Sequence, residues 1–127
     1  MPTETIYKGT AFEIRSWVDS GSNIVLGFLE ELQADGDTDA ERLFNLIKRT
    51  ADIGVTKNVR HVRSLGNDIY EFKAPNTGRI MFFYDKNRLI ICAHGFTGKK
   101  GHEGKFIQRQ IKKAIDIKEE YFAEKGE

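Results

Sequence analysis

The chain has 127 residues, 39% of them hydrophobic and 31% charged, with a formal net charge of +1. That length fits one domain over residues 1–127, and the mix excludes disorder and collagen-like structure. The lone Cys92 excludes an internal disulfide framework and a Cys-based zinc site. The apolar run Leu89 to Ala93 is far too short to cross a bilayer, and Met1 to Lys8 lacks the apolar core of a signal peptide. The expected setting is therefore a soluble protein of the reducing cytoplasm with no membrane partner.

In chain order, Phe12-Glu13-Ile14-Arg15 alternates apolar and polar residues and predicts a first strand reaching Val18. Ser20-Gly21-Ser22-Asn23 is a turn cluster ending in good helix-capping residues. A helix follows with Ile24, Val25, Phe28, Leu29 and Leu32 on one face, and Asp35-Gly36-Asp37 breaks it. Thr38 with Glu41 reads as a capping box opening a second helix that buries Leu43, Phe44, Ile47 and Ala51 and ends near Gly54. Three strands come next: Ile69 to Ala74, Arg79 to Tyr84 and Leu89 to His94. They are joined by the turns Pro75-Asn76-Thr77-Gly78 and Asp85-Lys86-Asn87. Gly95 to Gly104 is a loop rich in Gly and Lys. A last helix carries Phe106, Ile107, Ile111, Ala114, Ile115 and Phe122 at helical spacing. The order β-α-α-β-β-β-α predicts an α+β fold. An N-terminal strand and a helical hairpin pack on an antiparallel meander, a C-terminal helix follows, and the helices cover one face of the sheet.

Charge is unevenly placed. Residues 1–50 hold 5 Lys+Arg and 9 Asp+Glu, whereas residues 57–113 hold 13 basic against 4 acidic side chains. A folded region so basic attracts polyanions, phosphate backbones first, or else is simply a solvated face.

Three segments carry a resemblance. Arg63-Ser64-Leu65-Gly66-Asn67-Asp68-Ile69-Tyr70-Glu71-Phe72-Lys73 resembles the pattern Lys/Arg-x-Leu-x-x-x-Leu/Ile-Tyr/Trp-Glu-Leu/Phe-Arg/Lys. Gly78-Arg79-Ile80-Met81-Phe82-Phe83-Tyr84 is similar to an arginine-led strand. Ile90-Ile91-Cys92-Ala93-His94-Gly95-Phe96-Thr97-Gly98-Lys99-Lys100 resembles a third segment, aliphatic-aliphatic-x-x-His-x-Phe-x-x-Lys. In this order and spacing they resemble the RelE/ParE superfamily of bacterial toxins, most closely its HigB-like, phage-associated branch. The resemblance implies a RelE-like fold and a ribosome-dependent endoribonuclease, an mRNA interferase that halts translation. It implies a cognate antitoxin, expected to be of the helix-turn-helix type, with the ribosome and mRNA as further partners. It implies no metal and no cofactor.

The residues admit such chemistry. Metal-free RNA cleavage drives a 2′-hydroxyl into the neighbouring phosphate. Some group must take the 2′-proton, another must stabilise the charge-rich phosphorane, and another must protonate the leaving 5′-oxygen. An arginine fork suits the phosphorane, and His or a desolvated Lys suits the proton steps. Arg79 holds the family's arginine position, which the resemblance places on the scissile phosphate; it also suits an ion pair with Glu71 across the hairpin. Arg63 and Lys73 either position phosphate or assist proton transfer, or are solvated charges. His94 is a proton shuttle or a strand-end histidine bonded to backbone. Lys99, Lys100, Tyr84 and His61 are candidates for substrate binding, Tyr84 by stacking on a base unless it belongs to the core. Glu71 reads as a residue that orients an arginine, and Trp17 as core or as part of the antitoxin groove.

Two departures from the family pattern stand out. The chain is near neutral, and Thr97 to Lys105 is glycine-rich and lacks the usual proline. Two other functions also fit the sequence: a ParE-like inhibitor of DNA gyrase, and a non-catalytic module that binds nucleic acid or an acidic protein.

Overall fold

The computed structural model describes residues 2–98 and 104–126. The fold is α+β, with a mixed sheet between helices. Strand β1 (Thr3–Lys8) pairs antiparallel with β2 (Glu13–Asp19), and the two-residue β3 (Ser22–Asn23) folds back on the end of β2. Helices α1 (Ile24–Ala34) and α2 (Asp39–Ile53) follow. Then come β4 (Val62–Gly66), β5 (Ile69–Lys73), β6 (Gly78–Asp85) and β7 (Leu89–Thr97), and finally helix α3 (Lys105–Glu124). The sheet order is β1-β2-β7-β6-β5-β4. Strands β4 to β7 form an antiparallel meander, and β2 lies parallel beside β7, with Glu13 to Ser16 opposite Leu89 to Cys92.

The anticipated meander is present, but each end of the sheet gains a strand. The sequence reading assigned neither β1 nor β4. Both carry few apolar residues, so the alternation signal is weak there. The β4–β5 hairpin turns on Asn67 and Asp68, both left-handed at φ 55 and φ 58, as a tight two-residue hairpin loop requires. The loop expected from Gly95 begins later, because β7 runs on to Thr97 against the start of β6.

Helices cover both faces of the sheet, not one. Helices α1 and α2 bury Val25, Leu29, Leu43 and Ile47 against Ile14, Phe72, Ile80, Phe82 and Ile90. Helix α3 buries Ile111, Ala114 and Tyr121 against Ile69, Met81, Phe83, Ile91 and Ala93. In β6 the consecutive residues Ile80, Met81, Phe82 and Phe83 are all fully enclosed. An unbroken apolar run of this kind marks a strand covered on both sides.

Local signals set the helix ends. The Asn23 side chain accepts from Leu26 N at 3.0 Å and starts α1. The expected capping box at Thr38 does not form: Thr38 is already helical and makes no side-chain cap, and Asp37 instead accepts from Asp39 N at 2.9 Å. Gly54 ends α2 with φ 98. At Gly95, a Cβ would collide with the Phe28 ring, so a glycine is needed where α1 packs on β7.

Candidate functional site

The basic strand residues gather near the β5–β6 turn. Register places Arg63 of β4 opposite Glu71 of β5, and Lys73 of β5 opposite Arg79 of β6. Alternation sends Arg63, Glu71 and Arg79 to the α3 face of the sheet. There Glu71 is almost wholly enclosed, its side chain 1% exposed, between two guanidinium groups. Arg63 Nε donates to Glu71 Oε2 at 2.5 Å, and Arg79 Nε lies 3.6 Å from Glu71 Oε1. Arg79 Nη1 also donates to the carbonyls of Ala74 at 2.9 Å and Gly78 at 2.8 Å. The Arg79 side chain stays 22% exposed and that of Arg63 44%.

One buried carboxylate thus hydrogen-bonds Arg63 through Nε and ion-pairs with Arg79, whose hydrogen bonds go to the Ala74 and Gly78 carbonyls. The Nη2 atom of Arg79 makes no hydrogen bond among the described residues. A planar fork held in place suits phosphate recognition, because its ordering entropy is spent before the ligand arrives.

The turn that delivers Arg79 is itself clamped. Asp39, at the start of α2, is fully buried. Its carboxylate accepts from Gly78 N at 2.8 Å and Asn76 N at 3.2 Å. An α2 carboxylate therefore sets the backbone next to Arg79 from the opposite side of the sheet.

Other sequence candidates fall elsewhere. His94 is 1% exposed, and its Nε2 donates to the Gln110 carbonyl of α3 at 3.0 Å. Burial pushes its pKa down to about 4, against the pull of the Gln110 carbonyl. The ring is therefore neutral at pH 7 and ties β7 to α3, which corrects the expectation of a site-facing proton shuttle. Tyr84 also leaves the arginine cluster. It lies five positions along β6 from Arg79 and so on the α1–α2 face, where it packs edge-on against Tyr70 with ring centres 5.0 Å apart. Burial, with a smaller push from Tyr70, raises its phenol pKa.

Lys73 and His61 come together, the His61 carbonyl accepting from Lys73 N at 2.8 Å. Both line a groove shared with Arg42, Asn45 and Arg49 of α2. The sequence reading missed Arg42 and Arg49 because they sit in the acidic half of the chain. Their seven-residue spacing, which puts both on one helix face, was the available signal. Lys99 and Lys100 lie outside the described residues. Trp17 is 6% exposed and packs in the core against α3, while its edge lines a cleft of about 380 Å³ with Ile24, Arg109 and Lys113. Among the described residues, no group of three or more His, Cys, Asp or Glu is placed to hold a metal ion. Nor is any helix there long and apolar enough to cross a membrane.

An antiparallel meander with a parallel partner strand and helices on both faces make an α+β protein whose architecture is consistent with a RelE-like fold. Residues 28–119 match the family described as phage-derived protein Gp49-like (DUF891), and the chain belongs to that family. The family is related to RelE-like toxin proteins. No curated protein matches the chain.

Proposed function

We propose that the protein is the toxin of a type II toxin–antitoxin pair, a HigB-like endoribonuclease that cleaves mRNA on the ribosome. The observation that carries this reading is the Arg63–Glu71–Arg79 cluster: two part-exposed guanidinium groups on either side of one enclosed carboxylate, Arg63 hydrogen-bonded to it and Arg79 held by backbone carbonyls. Arg79 stabilises the phosphorane formed when the 2′-oxygen attacks the scissile phosphate, and Arg63 holds a second phosphate oxygen or the adjoining phosphate. Lys73, opposite Arg79 in the sheet, adds positive charge beside the leaving 5′-oxygen. Arginine stays protonated and cannot take the 2′-proton, and His94 is enclosed, so removal of the 2′-proton and protonation of the 5′-oxygen fall to Lys73 and His61 or to groups of the ribosomal complex. The cytoplasm is the matching compartment, and a cognate antitoxin with an acidic segment complements the cationic cluster.

Arg79→Ala tests the reading. Induced expression of the wild-type protein is expected to arrest growth and to create new mRNA 5′ ends within reading frames, detected by primer extension. The variant is expected to lose both while keeping a folded circular-dichroism spectrum, with cleavage falling on the order of a hundredfold or more. Cleavage that survives the substitution removes Arg79 from the chemistry.

A second reading, the non-catalytic binding module, is favoured by the enclosure of His94 and by the Glu71 pairing, which partly neutralises both arginines. It predicts RNA binding without cleavage in wild type and variant alike. A ParE-like activity would appear instead as inhibition of gyrase supercoiling with mRNA left intact.

A further inference from the structure

We propose that the groove between α2 and the end of β5 is a second anion site, which holds the phosphodiester chain of RNA as it leaves the arginine cluster. The choice of RNA rests on the function proposed above; the anion site itself rests on the groove. Arg42 and Arg49 from α2, Lys73 from β5 and His61 before β4 line a space of about 270 Å³, and no acidic residue lines it. Arg63, Arg79, Lys112, Lys118 and Lys125 each have a carboxylate partner. Arg42, Arg49 and Lys73 have no ion pair among the described residues. Cations brought together without a counter-ion repel one another, so the groove gains most when an anion enters.

The spacing favours a chain over a single ion. Arg42 and Arg49 are seven residues apart, about 10 Å along the helix axis. A strand running along the helix can offer a separate phosphate to each. Asn45 lies on the same helix face between them and offers amide donors and an acceptor. Leu46 and Pro75 supply apolar surface for sugar or base. Lys73 lines the groove and is the cross-strand neighbour of Arg79, whose cluster lies on the opposite, α3 face of the sheet. A strand gripped at Arg79 therefore has to round the end of β5 at Lys73 to reach α2, and it meets no acidic side chain in the groove.

The test is RNA binding by the full chain carrying both Arg42→Gln and Arg49→Gln. The probe is a labelled, 2′-O-methylated twelve-nucleotide single strand, which cannot be cut, followed by fluorescence anisotropy from 50 to 200 mM KCl. Losing two phosphate contacts is expected to weaken binding on the order of tenfold at low salt and to flatten the slope of log K against log[salt] by about 1.4. Both arginines are exposed, so the unfolding midpoint should hold; if the double variant fails to fold, Arg49→Gln alone should flatten the slope by about 0.7. Unchanged affinity and slope would overturn the proposal. Displacement of the RNA by inorganic phosphate at constant ionic strength would also overturn it, in favour of a free-phosphate site. Loss of cleavage in Arg79→Ala with normal binding by the double variant would remove the groove alone. A groove effect in a wild-type protein that never cuts mRNA would support the groove and remove the nuclease.

Discussion

Glu71 shows how one residue can be read from sequence in part. Its motif position suggested an acid that orients an arginine, and a pairing with Arg79 across the hairpin was foreseeable from the two strands and their turn. The closer contact, to Arg63, was hidden because β4 was not anticipated. His94 was legible as a strand-end histidine with two possible roles, and burial decides between them. The unfolded chain binds the imidazole proton below about pH 6.5, whereas the folded chain binds it only below about pH 4. Folding stability from this group is thus complete above pH 6.5 and is lost as pH falls from 6.5 to 4, by about 3 kcal/mol. Urea titrations at pH 7 and pH 4.5 should show most of that loss in the wild-type protein and little of it in His94→Gln. Equal losses in both would mean that another group governs the acid limb.

At the scale of elements, the helices and the three core strands followed from periodicity, but two features did not. The faces covered by helices were misjudged although β6 advertised its burial: Ile80 to Phe83 gives no polar face to solvent. The start of α2 reads as a capping box between Thr38 and Glu41, yet Asp39, next to Thr38, does more. Asp39 turns inward and bridges α2 to the β5–β6 turn through two backbone N–H groups. No local pattern could reveal this, because Asp39 and Gly78 are 39 positions apart in the chain. Asp39→Ala would leave the buried Gly78 N–H without its partner and release that of the exposed Asn76, and should destabilise the fold by about 2 kcal/mol, measured by chemical denaturation. Because the same turn sets the backbone of Arg79, that variant should also lose more cleavage than its stability loss explains. Asp39→Asn, which keeps one carbonyl acceptor, should recover part of both.

Across the whole molecule, charge is divided by sequence but mixed by folding. The acidic N-terminal half contributes Arg42 and Arg49 to a basic groove whose other cationic groups come from the second half. Counts along the chain therefore located the cationic region only in part, since distant residues complete it. The sheet is protected in a similar way. Strand β1 covers the edge of β2, with Arg15 fastened to Thr3 Oγ1 at 2.8 Å and to the Thr3 carbonyl at 2.9 Å. Removing residues 2–8 would leave β2 with a bare row of N–H and C=O groups. Concentration-dependent self-association should then appear in analytical ultracentrifugation of the shortened chain, while the intact chain shows none arising from this edge.

The seam between β2 and β7 also has a consequence for how the protein is made. Its partners, Glu13 to Ser16 and Leu89 to Cys92, are separated by most of the polypeptide. During synthesis the amino-terminal hairpin must wait until Leu89 to Cys92 have left the exit tunnel before its neighbour exists. The translating machine, which is the proposed victim, thus carries an unfinished sheet for as long as β7 is still inside its tunnel.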